Sequence, residues 1–574
     1  MNLAEKYRKP FFLILLFCLF ALYIWSVDRN ALFYGDTLEK YIQAHSVIQN
    51  NFKSSSIYYN ASELDPAYKF TPATGILYHQ SFISPFPEAY AYFSAVFMSI
   101  FSPEYLVFVS WILFAIILYL LYQCSHDFYI SIFWIPFLTP LFFQFTSFGD
   151  FAFALFFGMA GISIFYKQLE LYEVHSDSLS LWSLFSFQNK HAVVTENERE
   201  TKSRVKPIKI IYIASEILSK KDTRVLVTAG FFAGVLTGSS LWFRLEGILF
   251  LAAFLAAYSI VKKLNIFNVL LIAFLAGFIA AAAVFFSYNF YSFGHILGSR
   301  YLFNEGGIFS QPVKTRIYII QSLLFFGNMR VGFFFFMPFL LIATFYYFYP
   351  KHYKSLPAHL KILYLNFIFN TILVSLFAPN DSNIDWGSRY LGFSVLPGIL
   401  VFSHFYKSIL KEQFIRGRIL KGMVWFTYAI AIIIHLLLVS YMHKSPSQIH
   451  KFKEEFAKLD SHPDLYLFST RLHAQHLTTE IVKKKVMIFY EIDAGGYAYS
   501  VMQRIKKDPQ IKSFVYISLV SKQTATKNTI LQSIETDQTS VIETLKKEFI
   551  LVEEKTGKLS KVYTFKKRMI DSIE

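Results

Sequence analysis

Apolar stretches close to twenty residues long recur along this chain, and few structures can accommodate them. A helix needs roughly 20 apolar residues to cross the hydrocarbon core of a bilayer. In lipid, every backbone polar group must also be bonded internally, which leaves helices or closed barrels. By that rule about eleven helical spans are expected. They lie near 10–27, 104–123, 128–147, 150–167, 225–241, 243–261, 266–288, 330–349, 361–378, 389–406 and 421–442. Composition supports this reading: of 574 residues, 54% are hydrophobic and only 16% charged, against about 25% charged in ordinary soluble domains. The first span has a basic flank and no small-residue cleavage site after it, so it reads as a retained signal-anchor. Two cysteines, Cys18 and Cys124, both in apolar segments, indicate neither a disulfide framework nor a zinc site.

The net charge of +16 calls for no nucleic acid, because Lys and Arg of a membrane protein collect on its cytoplasmic side. With eleven spans and the N-terminus inside, every strongly basic short loop falls there. These are Lys6, Arg8 and Lys9; Lys262 and Lys263; Lys351 and Lys354; and Lys407, Lys411, Arg416, Arg418 and Lys421. The polar insertion 171–224 falls on the same side. Three larger pieces are then extracytoplasmic: 28–103, 289–329 and the region from 443 to 574. Within the first, "PEAYAYFSAVFMSIF" (87–101) is amphipathic and aromatic and is predicted to lie along the interface as a helix. In the last, "DLYLFST" (464–470), "KVMIFYE" (485–491) and "SFVYISLV" (513–520) read as short buried strands. Helices are predicted between them, giving a small α/β domain. Its "EIDAGGYAYS" (491–500) contains a glycine pair that reads as a structural turn. The expected fold is thus an all-α polytopic bundle (1–442) followed by an extracytoplasmic α/β domain (443–574).

Polar residues at the ends of the spans are the candidates for chemistry. "GDTLEKYIQAHSVIQNN" follows the first span, with Asp36 and Glu39, and Tyr41 and His45, at spacings that share a helical face. Asp36 is equally suited to capping that helix. Asp150 stands at the outer end of the fourth span, as a second site acid or a cap; Arg244 and Glu246 open the sixth, and Arg389 and Tyr390 the tenth. Arg300 lies in a loop. At such positions a charge either pairs locally and snorkels or marks a site.

The opening G-D-x-x-x-x-Y-x-x-A of the first outer loop resembles the start of the GT-C superfamily of membrane glycosyltransferases, which includes protein O-mannosyltransferases and the aminoarabinose transferases of lipid A. Four further segments are similar to that superfamily in the same order: "WFRLEGILFLAAFLAAY" (242–258), "NFYSFGHILGSRYL" (289–302), "VGFFFFMPFLLIA" (331–343) and "WGSRYLGFSVLPGIL" (386–400). The resemblance does not extend to 171–224 or to the C-terminal domain. It implies a multi-pass protein of the bacterial inner membrane. That protein would move a sugar, with inversion, from a polyprenyl phosphate donor to an extracytoplasmic acceptor: lipopolysaccharide, another glycolipid, a glycan or a protein. Asp36 would be the general base, with Arg244, Arg300 and Arg389 holding phosphate and Glu246, Tyr390 and Asp150 completing the substrate site. Some members bind a divalent metal through paired acids. Asp36 has no adjacent acid, so no metal or other cofactor is expected. Two other functions fit the same topology. One is a transporter or flippase of lipid-linked glycan, although the charges gather at span ends rather than mid-membrane. The other is a non-enzymatic envelope assembly protein acting through its tail.

Overall fold

The computed structural model describes Ile14, Cys18 and residues 33–125, 138–145, 149–175, 221–262, 269–303, 312–327, 330–380, 389–411, 415–457, 463–490, 496–519, 538–557 and 560–568. The loop after the first apolar segment forms α1 (Asp36–Gln49), a hairpin β1 (Ile76–Tyr78) and β2 (Ser81–Ile83), and α2 (Glu88–Met98). The bundle follows as α3 (Leu106–Ser125), α4 (Asp150–His175), α5 (Lys221–Ser239), α6 (Glu246–Val261), α7 (Val269–Phe293), α8 (Gly298–Phe303) and α9 (Val313–Leu324). It continues through α10 (Pro338–Phe348), α11 (Ala358–Phe377), α12 (Gly392–Lys411) and α13 (Ile415–Ala457). Among the described residues seven helices are long and apolar enough to cross a bilayer, which makes this a multi-pass membrane protein.

Those seven coincide with seven of the eleven expected spans. The spans near 243–261 and 330–349 are shorter than expected, as apolar helices Glu246–Val261 and Pro338–Phe348. The expected spans 10–27 and 128–147 and the insertion beyond 175 lie largely outside the described residues, as do residues 491–495 of the 491–500 turn. The expectation of one continuous helix over 330–349 is corrected. That helix breaks where Met337 leaves helical geometry (φ −125, ψ 62) ahead of Pro338, because the proline ring disfavours a helical residue before it and supplies no N–H.

Packing follows the small residues. Gly230, Gly234 and Gly238 recur every fourth residue on α5, so they share one face. A β-carbon on Gly234 would stand 1.9 Å from the Phe274 carbonyl oxygen of α7, and one on Gly277 would stand 2.0 Å from that of Phe231. The two backbones therefore touch, as lipid-embedded helices do when small residues line the contact. α4 and α12 are the most enclosed spans, with 72% of the apolar window buried in each against 33% for the span of α13. Their N-terminal turns lie side by side, Gly392 against Phe151 and Gly158 against Phe393. Asn370 of α11 donates 2.8 Å to Ser394 of α12, a polar tie inside the bundle. Large apolar side chains left exposed on the spans, such as Ile112, Ile279, Phe345 and Leu436, form the surface a bilayer would cover.

The C-terminal sheet combines β3 (Leu465–Phe468), β4 (Val486–Ile488), β5 (Ser513–Leu519), β6 (Ile550–Thr556) and β7 (Ser560–Lys566), with helices α14 (Tyr497–Lys507) and α15 (Gln538–Glu548). Strand order is β4-β3-β5-β7-β6. β3 is parallel to both neighbours, with Tyr466 opposite Val486 and Val515; β7 is antiparallel to β5 and β6. The three buried strands match the sequence expectation. The β6–β7 hairpin was not foreseen, because β6 is largely exposed and carries Glu553, Glu554 and Lys555.

The helix entering this region does not stop at 442. α13 runs 43 residues, to Ala457. The sheet's core also recruits the distant first loop: Tyr59, Ala61, Leu64 and Phe70 pack with Leu465, Met487, Phe489 and Val501. The Ile488 amide donates 2.7 Å to the Phe70 carbonyl, and Tyr497 donates 2.8 Å to Asp65. Loop and domain therefore sit at one end of the bundle, where α4, α6 and α12 begin.

Candidate functional site

All seven residues singled out from the sequence meet at that end. Asp36 is the first residue of α1, Asp150 of α4 and Glu246 of α6. Acids suit these positions because helix N-termini carry partial positive charge. Arg244 precedes α6; Arg300 sits in the short helix α8, not in the loop expected from the sequence; and Arg389 and Tyr390 lie in the 3-10 turn before α12. Gly35 caps α1 with a φ of +62, a backbone conformation that a side chain disfavours.

Ion pairs join these residues across the chain. Asp36 Oδ2 lies 2.6 Å from Arg389 Nη1. Asp150 takes Lys40 Nζ at 2.5 Å on one oxygen and Arg244 Nε at 2.9 Å on the other. Arg244 reaches Glu246 at 3.3 Å, and Arg300 approaches the same Glu246 oxygen at 3.7 Å. Ring faces add to the cation environment: Phe151 under Arg244 at 5.4 Å, Phe86 under Lys40 at 5.2 Å and Tyr390 under Arg389 at 5.7 Å. The Tyr390 hydroxyl donates 3.0 Å to Asn380, so the tyrosine holds its place by its own bond.

The three acids differ in access. The Asp150 side chain is 1% exposed and that of Glu246 12%, whereas Asp36 is 36% exposed. Burial raises the Asp36 pKa, but Arg389, Lys40 and Arg244 outweigh it, and the carboxyl is held below its ordinary value. Lys40 is drawn below the usual lysine range by burial, against the pull of Asp150 and Asp36.

Lys40 was missed in the sequence as a site residue. It stands one helical turn after Asp36, and that i,i+4 spacing was the available signal. Glu39 and His45 do not join the network. Glu39 accepts 2.8 Å and 3.0 Å bonds from the Thr74 amide and hydroxyl, and burial pushes its carboxyl above the ordinary range. His45 faces the Tyr41 ring at 6.2 Å.

Beside Arg244 and Arg300 opens a narrow cleft, lined also by Trp242, Tyr288, Asn289 and Phe293. Tyr288 donates 2.7 Å to Glu88 of α2 at its edge, so the interfacial helix forms one wall.

No family model matches this sequence, and no curated protein matches it. Among solved structures the chain is similar to ArnT from Cupriavidus metallidurans bound to undecaprenyl phosphate. The TM-score is 0.43 at 10% identity, covering 96% of this chain and 97% of that chain.

Proposed function

We propose that this protein is a membrane glycosyltransferase that moves a sugar from a polyprenyl-phosphate-type donor to a hydroxyl acceptor on the side bearing the C-terminal domain. One observation carries the reading. Of the three acids in the network, Asp36 alone is substantially open to solvent, and an arginine from the start of an enclosed span holds it. The order of sequence segments resembling the GT-C superfamily supports the same assignment.

In this reading the acceptor O–H gives its proton to Asp36 as the new C–O bond forms at the anomeric carbon. The bond from that carbon to the phosphate oxygen breaks in the same displacement, so configuration inverts. A hydroxyl is a poor nucleophile until a positioned base takes its proton. The lipid phosphate leaves as an anion and needs fixed positive charge around it. Arg389, Arg244 and Arg300 are the phosphate partners, guanidinium matching phosphate oxygens through paired N–H groups. Asp150 and Glu246 keep Arg244 and Arg300 in place, Lys40 balances the charge of Asp150, and the Tyr390 ring lies beside Arg389. As phosphate draws Arg389 away, Asp36 loses its strongest partner and becomes more basic, so donor binding prepares the base. No metal or other cofactor enters this scheme.

The basic residues Lys262, Lys351, Lys354, Lys407 and Lys411 lie at the other end of the bundle. By the positive-inside rule that end is cytoplasmic; the GT-C resemblance implies the inner membrane of a bacterium, and the acceptor is an extracytoplasmic glycolipid, glycan or protein. The test uses purified protein in nanodiscs with a panel of polyprenyl-phosphate sugars. Wild type is expected to consume one donor, and Asp36→Asn to bind that donor without consuming it. Equal consumption by both proteins would remove Asp36 from the chemistry.

A further inference from the structure

The C-terminal domain grips α1 on both sides of Asp36. On the N-terminal side, the Gly35 amide donates 3.3 Å to the Gln475 side-chain oxygen, across 440 residues of sequence. That amide precedes the helix, where early N–H groups have no intrahelical acceptor. Gln475 is 7% exposed, so its amide group has little water to bond instead. One residue earlier, the Tyr34 ring meets His476 at 5.5 Å, and His476 packs on Phe452 of α13. On the C-terminal side, Glu39 is fixed by Thr74, whose hydroxyl accepts a 3.0 Å bond from Arg471. Tyr34, Gly35 and Glu39 are thus held, directly or through Thr74, by the segment 471–476. Asp36 lies between them. Its partner Arg389 belongs to the membrane bundle.

We propose that the C-terminal domain is a positioning element for Asp36, with Gln475 as the positioning residue that sets the first turn of α1 against Arg389. This rests on the reading of Asp36 as the base and deepens it. The domain's own core supports the arrangement. Residues 59–70 of the same loop are built into the sheet's apolar cluster, so the loop cannot shift without the domain. Displacing a catalytic group by about 1 Å can cost about a hundred-fold in rate, which gives a single remote hydrogen bond leverage over turnover.

The test compares Gln475→Ala and Gln475→Glu in the full chain in nanodiscs, by amide hydrogen exchange and by consumption of polyprenyl-phosphate sugar. Gln475→Ala removes the acceptor. Exchange over 33–40 should rise about five-fold, the equivalent of one neutral hydrogen bond, while Leu465–Phe468 and Ser513–Leu519 keep their protection. Donor kcat should fall towards a hundredth at unchanged KM. Gln475→Glu keeps an acceptor oxygen and should retain wild-type protection over 33–40. Unchanged exchange over 33–40 in Gln475→Ala overturns the proposal, as does an equal rise in the sheet strands. If wild type consumes no donor, the transferase reading fails by itself, and the exchange comparison still decides whether the domain positions α1.

Discussion

Asp150→Asn tests whether the ion pairs form one enclosed network. The substitution preserves shape and removes one charge from a side chain 1% exposed, touching Lys40 at 2.5 Å and Arg244 at 2.9 Å, themselves 4% and 3% exposed. At an effective dielectric of about 20, those separations correspond to gross attractions of about 7 and about 6 kcal/mol. Most of this offsets the cost of taking the ions out of water. Removing one partner of a buried pair costs about 3–5 kcal/mol, because the remaining charge stays buried and uncompensated. Two cations lose a partner here: Arg244 retains Glu246 at 3.3 Å, while Lys40 keeps only the longer-range pull of Asp36. The expected loss therefore lies in the upper half of that range, a large share of a typical stability of about 5–15 kcal/mol. Reversible denaturation in mixed micelles would measure it, alongside Lys40→Met and the double variant. The double variant should be more stable than the summed single effects imply, by about 1 kcal/mol or more, because it leaves no orphaned lysine. An Asp150→Asn loss within about 0.5 kcal/mol of zero, or strict additivity with Lys40→Met, would refute an enclosed network.

Further outcomes follow from the same geometry. Asp36→Asn should lower donor turnover by about 10²–10⁴-fold, the usual contribution of a positioned base, with donor binding retained in equilibrium dialysis. Arg389 holds the Asp36 carboxyl below its ordinary value, so the wild-type base is lost only as pH falls through that depressed pKa. Arg389→Met removes the largest of the charges that oppose burial, and the acidic limb of kcat/KM should move to higher pH; an unmoved limb would break the link between the two residues. Gly35→Ala forces a side chain onto a φ of +62 and should cost about 1–3 kcal/mol of stability, read in the same denaturation assay. Gly234→Leu would drive atoms into the Phe274 backbone; it should destabilise α5 against α7 and be visible as loss of a monodisperse peak in detergent chromatography.

Much of the fold was legible in the sequence, because burial in lipid and burial in a sheet both leave local signatures. Seven spans, the aromatic helix at Glu88–Met98 and strands β3, β4 and β5 follow from runs of apolar residues whose length or period selects helix or strand. The candidate site was legible only as separate charged residues at span ends, a position that marks a residue as costly to bury without naming its partner. The exposed, charged β6 left no comparable trace, since its pairing with β7 comes from backbone bonds that any sequence can make.

Sequence alone thus determined a helical membrane bundle with polar groups gathered at one end. The tertiary structure decided which of those groups meet: Asp36 with Arg389, Lys40 with Asp150 and Arg244, and Gly35 with Gln475. Hydrophobic periodicity records whether a residue faces water, lipid or protein, one position at a time. Ion pairs between residues hundreds of positions apart depend instead on which helix ends pack together. Here that was set by glycines that let α4 approach α12 and by an apolar core that folds residues 59–70 into the C-terminal sheet.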